Sequence, residues 1–124
     1  MAAVPAARDF RSVKAWEKAH QLTLDAYRIT RAFPREELFV LTSQIRRSAS
    51  SVPTNIAEGC GRGGAELGRF CRIAIGSASE LEYQFLLARD LELLKPSDYE
   101  RLAEQVVEVK RMLTAYVGKL IADS

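Results

Sequence analysis

Histidine and cysteine are scarce in this chain, whose 124 residues include one histidine and two cysteines. A structural zinc site needs four ligands, mostly Cys and His, so no metal site is predicted. Cys60 and Cys71 lack the Cys-x-x-Cys spacing, and we expect reduced, inert thiols, with a redox or thiolate role as the alternative. His20 lies on an aromatic-rich helix face, which favours packing or an interface over a functional role.

Catalytic motifs are absent as well. The sequence contains no Gly-x-Ser-x-Gly elbow of the kind that presents a nucleophilic serine. Glu80 and Glu82 are two residues apart on a predicted helix, so they do not face each other as an acid/base pair. The sequence therefore predicts a protein without enzymatic activity and without a cofactor.

Long hydrophobic runs are missing too. No apolar stretch approaches the roughly 20 residues of a membrane span, and the start, MAAVPAARDF, lacks the apolar core of a signal peptide. We therefore expect a cytoplasmic protein that makes no membrane contact. The length fits a single domain, residues 1–124, in which residues 1–11 form a loose N-terminal arm.

Apolar residues at helical spacing are abundant, and hydrophobic residues make up 48% of the chain. The apolar periodicity predicts four helices, over about 13–33, 36–58, 65–93 and from 97 to near the C-terminus. No segment alternates with the period of a strand. The fold class is therefore all-α, and the short links favour an up-down-up-down four-helix bundle.

Helix starts are marked by polar residues. Ser12 is a possible N-cap of helix one, and Ser97 with Glu100 has the spacing of a capping box at the start of helix four.

Pro53 lies inside predicted helix two. A proline there usually breaks or kinks a helix, yet the apolar stripe keeps its phase on both sides of it. We therefore predict a kinked but continuous helix. The stripe consists of Leu38, Leu41, Ile45, Ala49, Val52 and Ile56.

Helices one and three carry more apolar surface than one core-facing stripe requires. The apolar arc of helix one is wider than the roughly 100° of an ordinary surface helix. A second buried face on each helix would explain the excess, so we predict a homo-oligomer. The interface candidates are Trp16 and Tyr27 on helix one, and Tyr83 and Leu87 on helix three.

The stretch GCGRGG, residues 59–64, fits the G-x-G-x-x-G spacing of dinucleotide-binding loops. Such a loop needs a strand before it and a βαβ unit around it, and neither is available here. We therefore interpret the glycines as the turn between helices two and three. A phosphate held by the first amides of helix three, with help from Arg62, is the alternative. Asn55, Glu58, Gly59 and Arg62 form a predicted corner motif beside this turn, either structural or in contact with a ligand.

Arginines are the candidates for binding nucleic acid. The net charge is only +2, but residues 59–79 carry a balance of +2 and residues 80–100 a balance of −4. The candidates that would contact phosphates are Arg46, Arg47, Arg62, Arg69 and Arg72. Phe70 is assigned to the core, so no aromatic side chain is expected among them. The alternative is that these arginines form ion pairs within or between subunits.

Two stretches, QIRRSASSVPTNIAEGCGR and FCRIAIGSASELEYQ, resemble the 23S rRNA-intervening sequence proteins. The resemblance extends over nearly the whole chain and implies a four-helix bundle that forms homo-oligomers, notably pentamers. Some members are encoded within intervening sequences of large-subunit rRNA genes. A related member, the accessory variability protein of diversity-generating retroelements, is a basic pentamer that binds nucleic acid and a reverse transcriptase. This chain departs from the pattern by having glycines near the start of helix three, a turn one residue shorter and a modest net charge.

Two functions of different kinds follow from these observations. The first is a nucleic-acid-binding accessory protein that contacts RNA or DNA through its arginines. The second is a structural oligomer that docks a protein partner, with the acidic end of the bundle as a possible docking surface.

Overall fold

The structure is a computed structural model that describes residues 7–123. Four α-helices account for most of this range: α1 (Lys14–Thr30), α2 (Ser43–Arg62), α3 (Gly64–Asp90) and α4 (Pro96–Asp123). No strand occurs among the described residues. The helices pack as a bundle in which α1 contacts α2 and α4, and α3 contacts the same two helices. The predicted all-α class with four helices is confirmed.

The predicted apolar stripes supply the core of this bundle. The stripe of α2 is buried from Leu41 onward, and matching stripes on the other three helices meet it. Leu38 differs from the prediction because 40% of its surface is exposed. A 3₁₀ turn (Arg35–Glu37) and a π-helical segment (Leu38–Thr42) precede α2. The i→i+5 bonds of a π turn add a residue to the turn, so the phase of Leu38 is shifted from that of the stripe.

Residues 8–12 are held against the bundle, which differs from the loose arm expected over residues 1–11. The amide of Arg8 donates to the carbonyl of Cys60 at 3.0 Å, and its guanidinium donates to the Tyr116 hydroxyl at 2.9 Å. A 3₁₀ turn (Phe10–Ser12) follows, capped by the Asp9 carboxylate. Residues 1–6 lie outside the described residues.

Two predicted caps are wrong. Val13, not Ser12, precedes α1, because Ser12 belongs to the 3₁₀ turn and donates its hydroxyl to the carbonyl of Asp9. Helix α4 begins at Pro96, so Ser97 lies inside the first turn and cannot open a capping box. Proline suits the first helical position because the amide it lacks would have had no partner there.

The glycine run is mostly helical, so its assignment to a turn holds only at its end. Helix α2 continues to Arg62, and Gly63 alone links it to α3, with φ of 68°. Gly64 opens α3 with φ of 59°, and glycine adopts such positive values without steric cost. Gly59 serves packing instead: a Cβ there would lie 3.0 Å from the Cβ of Phe70.

Helix α2 passes through Pro53 without interruption, as predicted. Proline has no amide hydrogen, so the carbonyl of Ala49 loses its usual intrahelical partner. The Thr23 hydroxyl on α1 lies 3.0 Å from that carbonyl oxygen and 2.8 Å from the carbonyl oxygen of Ala19, so its single hydrogen is shared between the two acceptors. A side chain from a neighbouring helix therefore gives the carbonyl that Pro53 leaves unpaired a shared hydrogen bond. The bend itself stays a prediction.

Candidate nucleic-acid interface

The arginines near the glycine turn, Arg62, Arg69 and Arg72, are called the turn arginines. Arg62 pairs with Glu58 at 2.9 Å, and Arg69 pairs with Glu66 at 2.9 Å. The hydrogen bond from Arg69 lowers the pKa of the Glu66 carboxyl, and the same bond raises the pKa of Arg69. Both groups therefore stay charged at neutral pH, and the carboxylates offset much of the positive charge on this surface.

Phe70 lies among the turn arginines, so the expectation that no aromatic is interleaved with them is wrong. The guanidinium carbon of Arg62 lies 4.9 Å from the ring centroid of Phe70, and that of Arg69 lies 4.7 Å from it. Phe70 is half-buried and not part of the core. Two arginines already contact its ring, which leaves less of it for stacking with a base.

The predicted corner motif separates into two parts. Glu58 and Arg62 form the ion pair described above, and both are about half exposed. Asn55 is turned away from that pair: its side-chain amide donates to the carbonyl and the hydroxyl of Ser51, at 2.8 and 2.9 Å. Ser51 also contacts the Ser77 hydroxyl at 2.8 Å. Asn55 therefore takes part in a polar cluster that joins α2 to α3, and no functional role follows from its position.

Arg46 and Arg47 lie some distance from the turn arginines. Arg47 is 15 residues before Arg62 on α2, which corresponds to about 22 Å along the helix axis. The Nε of Arg46 donates to the Thr30 hydroxyl at 2.9 Å, and its guanidinium lies 5.0 Å from the ring centroid of Tyr27. Arg47 is exposed and has no ion pair within residues 7–123. The five predicted arginines therefore form two surfaces.

Two further arginines, Arg31 and Arg35, were missed by the sequence reasoning. They lie at the corner where α1 ends and the chain turns into α2. Together with Arg46 they line a cleft of about 390 Å³. We call Arg31, Arg35, Arg46 and Arg47 the corner arginines. They lie at the α1–α2 corner and are separate from the corner motif beside the glycine turn. None of them has a carboxylate partner among the described residues, and the exposed Arg72 has none either, whereas Arg62 and Arg69 are paired. The sequence signal that was overlooked is the arginine on each side of the segment AFP, residues 32–34.

The carboxylates nearest to these arginines in the chain are those of Glu36, which is exposed, and Glu37, which is half-buried. Neither lines the cleft, and neither forms an ion pair within the described part of the chain. They limit the net charge of residues 31–47 to +2. The corner surface is therefore moderately basic, and no carboxylate among the described residues pairs with its arginines.

The four interface candidates have different environments. Tyr27 and Tyr83 are exposed, at 41% and 61% of their surface. Trp16 is half-buried and stacks on His20, with ring centroids 5.0 Å apart. Leu87 is half-buried against the core. Tyr83 therefore remains available for contact with another molecule, and so does the exposed part of Tyr27, whose ring also lies against the Arg46 guanidinium. Trp16 and Leu87 already contribute to the packing of their own chain.

The most exposed large apolar side chain was not predicted. Phe39 is 90% exposed, and its neighbours Leu38 and Val40 are exposed at 40% and 53%. All three lie in the π-helical segment before α2. Four consecutive apolar residues between polar stretches, the letters LFVL at 38–41, were the available signal.

A scan against known protein families matches residues 11–115 to the model described as 23S rRNA-intervening sequence protein. This chain belongs to that family. All of the candidate arginines and interface residues lie inside the matched range. Among curated proteins no match to the chain was found.

A solved structure has the same fold as this family member. It is a protein with unknown function from the S23 ribosomal protein family of Bacteroides thetaiotaomicron VPI-5482, with a TM-score of 0.77. The two are 24% identical, and the alignment covers 84% of this chain and 95% of the other. At this identity the likeness shows a shared fold only, and it does not show what this chain binds.

The remaining side chains of this intervening sequence protein offer little reactive chemistry. Cys60 and Cys71 are buried free thiols, and burial raises the pKa of Cys71 to about 11. A thiol with such a pKa stays protonated and unreactive at neutral pH. Within residues 7–123 no group of His, Cys, Asp or Glu is placed to hold a metal ion. None of the helices there combines the length and apolar character needed to cross a bilayer.

Proposed function

We propose that this family member is a non-catalytic, oligomeric helical bundle of the cytoplasm that binds RNA or DNA through its corner arginines. The observation that supports this most is the absence of carboxylate partners, within the described residues, around Arg31, Arg35, Arg46 and Arg47. An arginine already paired with a carboxylate must give up that partner to bind a phosphate, whereas these four do not. A guanidinium can donate two parallel hydrogen bonds to one phosphate, which suits this task.

Binding of this kind is electrostatic and independent of base sequence. No pocket lined by stacked aromatic rings accompanies the corner arginines in the described part of the chain, so recognition of single bases is not expected. A few phosphate contacts per subunit give weak affinity. An oligomer would repeat the surface and raise the overall affinity through simultaneous contacts.

Self-association is supported by the exposed tyrosines on α1 and α3. These helices occupy opposite corners of the bundle, since each packs on α2 and α4. Contacts that pair Thr23 with Ala49 and Thr30 with Arg46 favour an antiparallel arrangement of α1 and α2, as an up-down-up-down order requires. A face on α1 and a face on α3 point away from each other, so a contact between them is heterologous and can close a ring. The family resemblance implies a pentamer.

Fluorescence anisotropy with labelled RNA and DNA oligonucleotides tests the proposed binding. We expect binding at about 50 mM salt, with the logarithm of the association constant falling linearly with the logarithm of salt concentration. Arg47→Gln should weaken binding equally for unrelated sequences and reduce the salt slope by about one. Arg101→Gln on α4 is the matched control, because that arginine pairs with Asp25 and Asp98. Binding that is undetectable at about 50 mM salt, or independent of salt, would contradict the proposal.

A second function, docking of a protein partner, is supported by the exposed segment Leu38–Val40. An isolated exposed leucine needs no explanation, but three adjacent apolar residues with a phenylalanine at 90% exposure are typical of a contact surface. Two results together would make docking the function in place of nucleic-acid binding. The wild-type protein would show no affinity for RNA or DNA, and Phe39→Ser would abolish co-purification of a defined protein.

A further inference from the structure

The cleft at the α1–α2 corner has the composition of an anion-binding site. It is lined by three arginines, by the hydroxyl-bearing Thr30 and Thr42, and by the apolar Phe33, Pro34 and Leu38. Its volume, about 390 Å³, lies at the lower end of the range of small-molecule sites. We propose that this cleft binds the phosphate group of a small phosphate monoester.

The positive charge of the cleft comes from Arg31, Arg35 and Arg46. No carboxylate pairs with any of them in the described part of the chain. Arg46 is held in place by its Nε, which donates to Thr30, and by Tyr27 beneath its guanidinium. Its terminal nitrogens have no hydrogen-bond partner among residues 7–123. A fixed guanidinium with free donors is well suited to an oxyanion because little side-chain freedom is lost on binding.

Thr42 gives a second and independent indication of a ligand. Its side chain lines the cleft and only 2% of the residue is exposed, yet its Oγ1 has no hydrogen-bond partner among the described residues. Buried hydroxyl groups are nearly always hydrogen-bonded, because leaving one unpaired is destabilising. A phosphate oxygen in the cleft would accept a hydrogen bond from this hydroxyl.

The apolar part of the lining explains why the proposed ligand is an ester and not inorganic phosphate alone. Phe33, Pro34 and Leu38 offer carbon surface beside the arginines, and Leu38 is 40% exposed. A phosphate group fills only part of the cleft. The remaining space fits the organic part of a small molecule such as a mononucleotide or a sugar phosphate.

The arginines have one competing structural role. Arg31 and Arg35 follow the C-terminal end of α1, where cations offset the negative end of the helix dipole. That role would make both residues stabilising without any ligand. The experiment must therefore measure binding and stability separately.

NMR titration of the full chain in chloride buffer tests the proposal, with inorganic phosphate, AMP and adenosine as probes. We expect AMP and phosphate to shift the Nε–H signals of Arg31, Arg35 and Arg46 and the amide signal of Thr42, whereas adenosine leaves them unchanged. AMP should bind more tightly than phosphate. No shift at about 10 mM AMP, which corresponds to an affinity weaker than millimolar, would overturn the proposal. Equal shifts with adenosine would do the same.

Variants separate a ligand site from a structural one. Arg31→Gln and Arg35→Gln should each weaken AMP binding by about tenfold, the usual effect of losing one charge-assisted hydrogen bond. Arg28→Gln is the control, because that arginine lies on α1, pairs with Asp25 and does not line the cleft. Thr42→Val should weaken AMP binding without lowering the melting temperature of the free protein. If the two arginine variants lower only the melting temperature and leave AMP affinity unchanged, the arginines serve the helix end and the proposal fails.

This proposal and the nucleic-acid function fail in different ways. Arg47 does not line the cleft, so Arg47→Gln should weaken RNA binding and leave AMP binding unchanged. AMP binding without any RNA or DNA binding would refute only the nucleic-acid function. Nucleic-acid binding without any response to AMP would refute only the phosphate cleft.

Discussion

Removing the Thr23 hydroxyl should destabilise the bundle by an amount that depends on Pro53. In Thr23→Val the shape of the side chain and its helix propensity change little, but the carbonyl of Ala49 loses its donor. Ala49 is fully buried, so water cannot replace the lost hydrogen bond. A buried carbonyl left unpaired costs about 1–3 kcal/mol. For a domain of this size the melting temperature should fall by roughly 4–10 °C.

A double-mutant cycle identifies the cause of that loss. In Pro53→Ala the new amide at position 53 can donate to the carbonyl of Ala49, as in an ordinary helix. Thr23→Val should then cost about 1 kcal/mol less than it does when Pro53 is present. Thr114→Val, at an exposed site on α4, controls for the chemical change.

Urea denaturation of the wild type, the two single variants and the double variant at one protein concentration gives the energies of this cycle. The reasoning is refuted if Thr23→Val costs less than about 0.5 kcal/mol, or if its cost is the same in both backgrounds. In either case the Ala49 carbonyl does not depend on Thr23.

Three further outcomes follow from the packing and the charges. Gly59→Ala should lower stability by about 1–3 kcal/mol, because the new methyl group would lie 3.0 Å from the Phe70 Cβ and 3.2 Å from the Leu67 carbonyl oxygen, closer than ordinary van der Waals contact. Gly61→Ala, with nothing within 4 Å of the new Cβ, should raise stability by about 0.5–1 kcal/mol. Thermal unfolding measures both changes. Glu66→Gln frees Arg69 from its carboxylate partner and should raise nucleic-acid affinity in the anisotropy assay if that pairing competes with phosphate. Unchanged affinity would mean that Arg69 takes no part in binding. Burial raises the pKa of Cys71 from 9.0 to about 11. The buried thiol therefore contributes stability that is present below about pH 9 and lost as the pH rises towards about 11; Cys71→Ala should flatten this alkaline decline, and an unchanged pH profile would contradict the assignment.

The number of helices and most of the core could be predicted because they depend on local periodicity. The stripe of α2 from Leu41 to Ile56 keeps one phase over many residues, and Pro53 does not change it. Leu38 was misplaced because a π turn shifts the phase at the helix start, and nothing in the apolar pattern marks that shift. The glycine run was interpreted as a turn because glycine serves both positive φ and close packing. Only the proximity of Phe70 shows that Gly59 serves packing.

The candidate site was predictable only in part. Arg46 and Arg47 were found from charge alone, but the partners of an arginine depend on tertiary geometry. Arg31 becomes part of a cleft only when the end of α1 packs beside the start of α2. In contrast, Arg62 and Arg69 follow Glu58 and Glu66 at the i, i+4 and i, i+3 spacings of helical ion pairs. That spacing is a local property of the sequence, and it favours the ion-pair alternative for Arg62 and Arg69.

The most direct test of the account compares two double variants for RNA affinity under identical low-salt conditions. Arg35→Gln with Arg47→Gln removes two corner arginines that have no carboxylate partner among the described residues, and Arg62→Gln with Arg69→Gln removes two turn arginines that are already paired. Both changes reduce the net charge equally. We expect the corner variant to lose at least about tenfold in affinity and the turn variant to lose little. A larger loss in the turn variant, or equal losses in both, would contradict the assignment of the interface to the corner arginines.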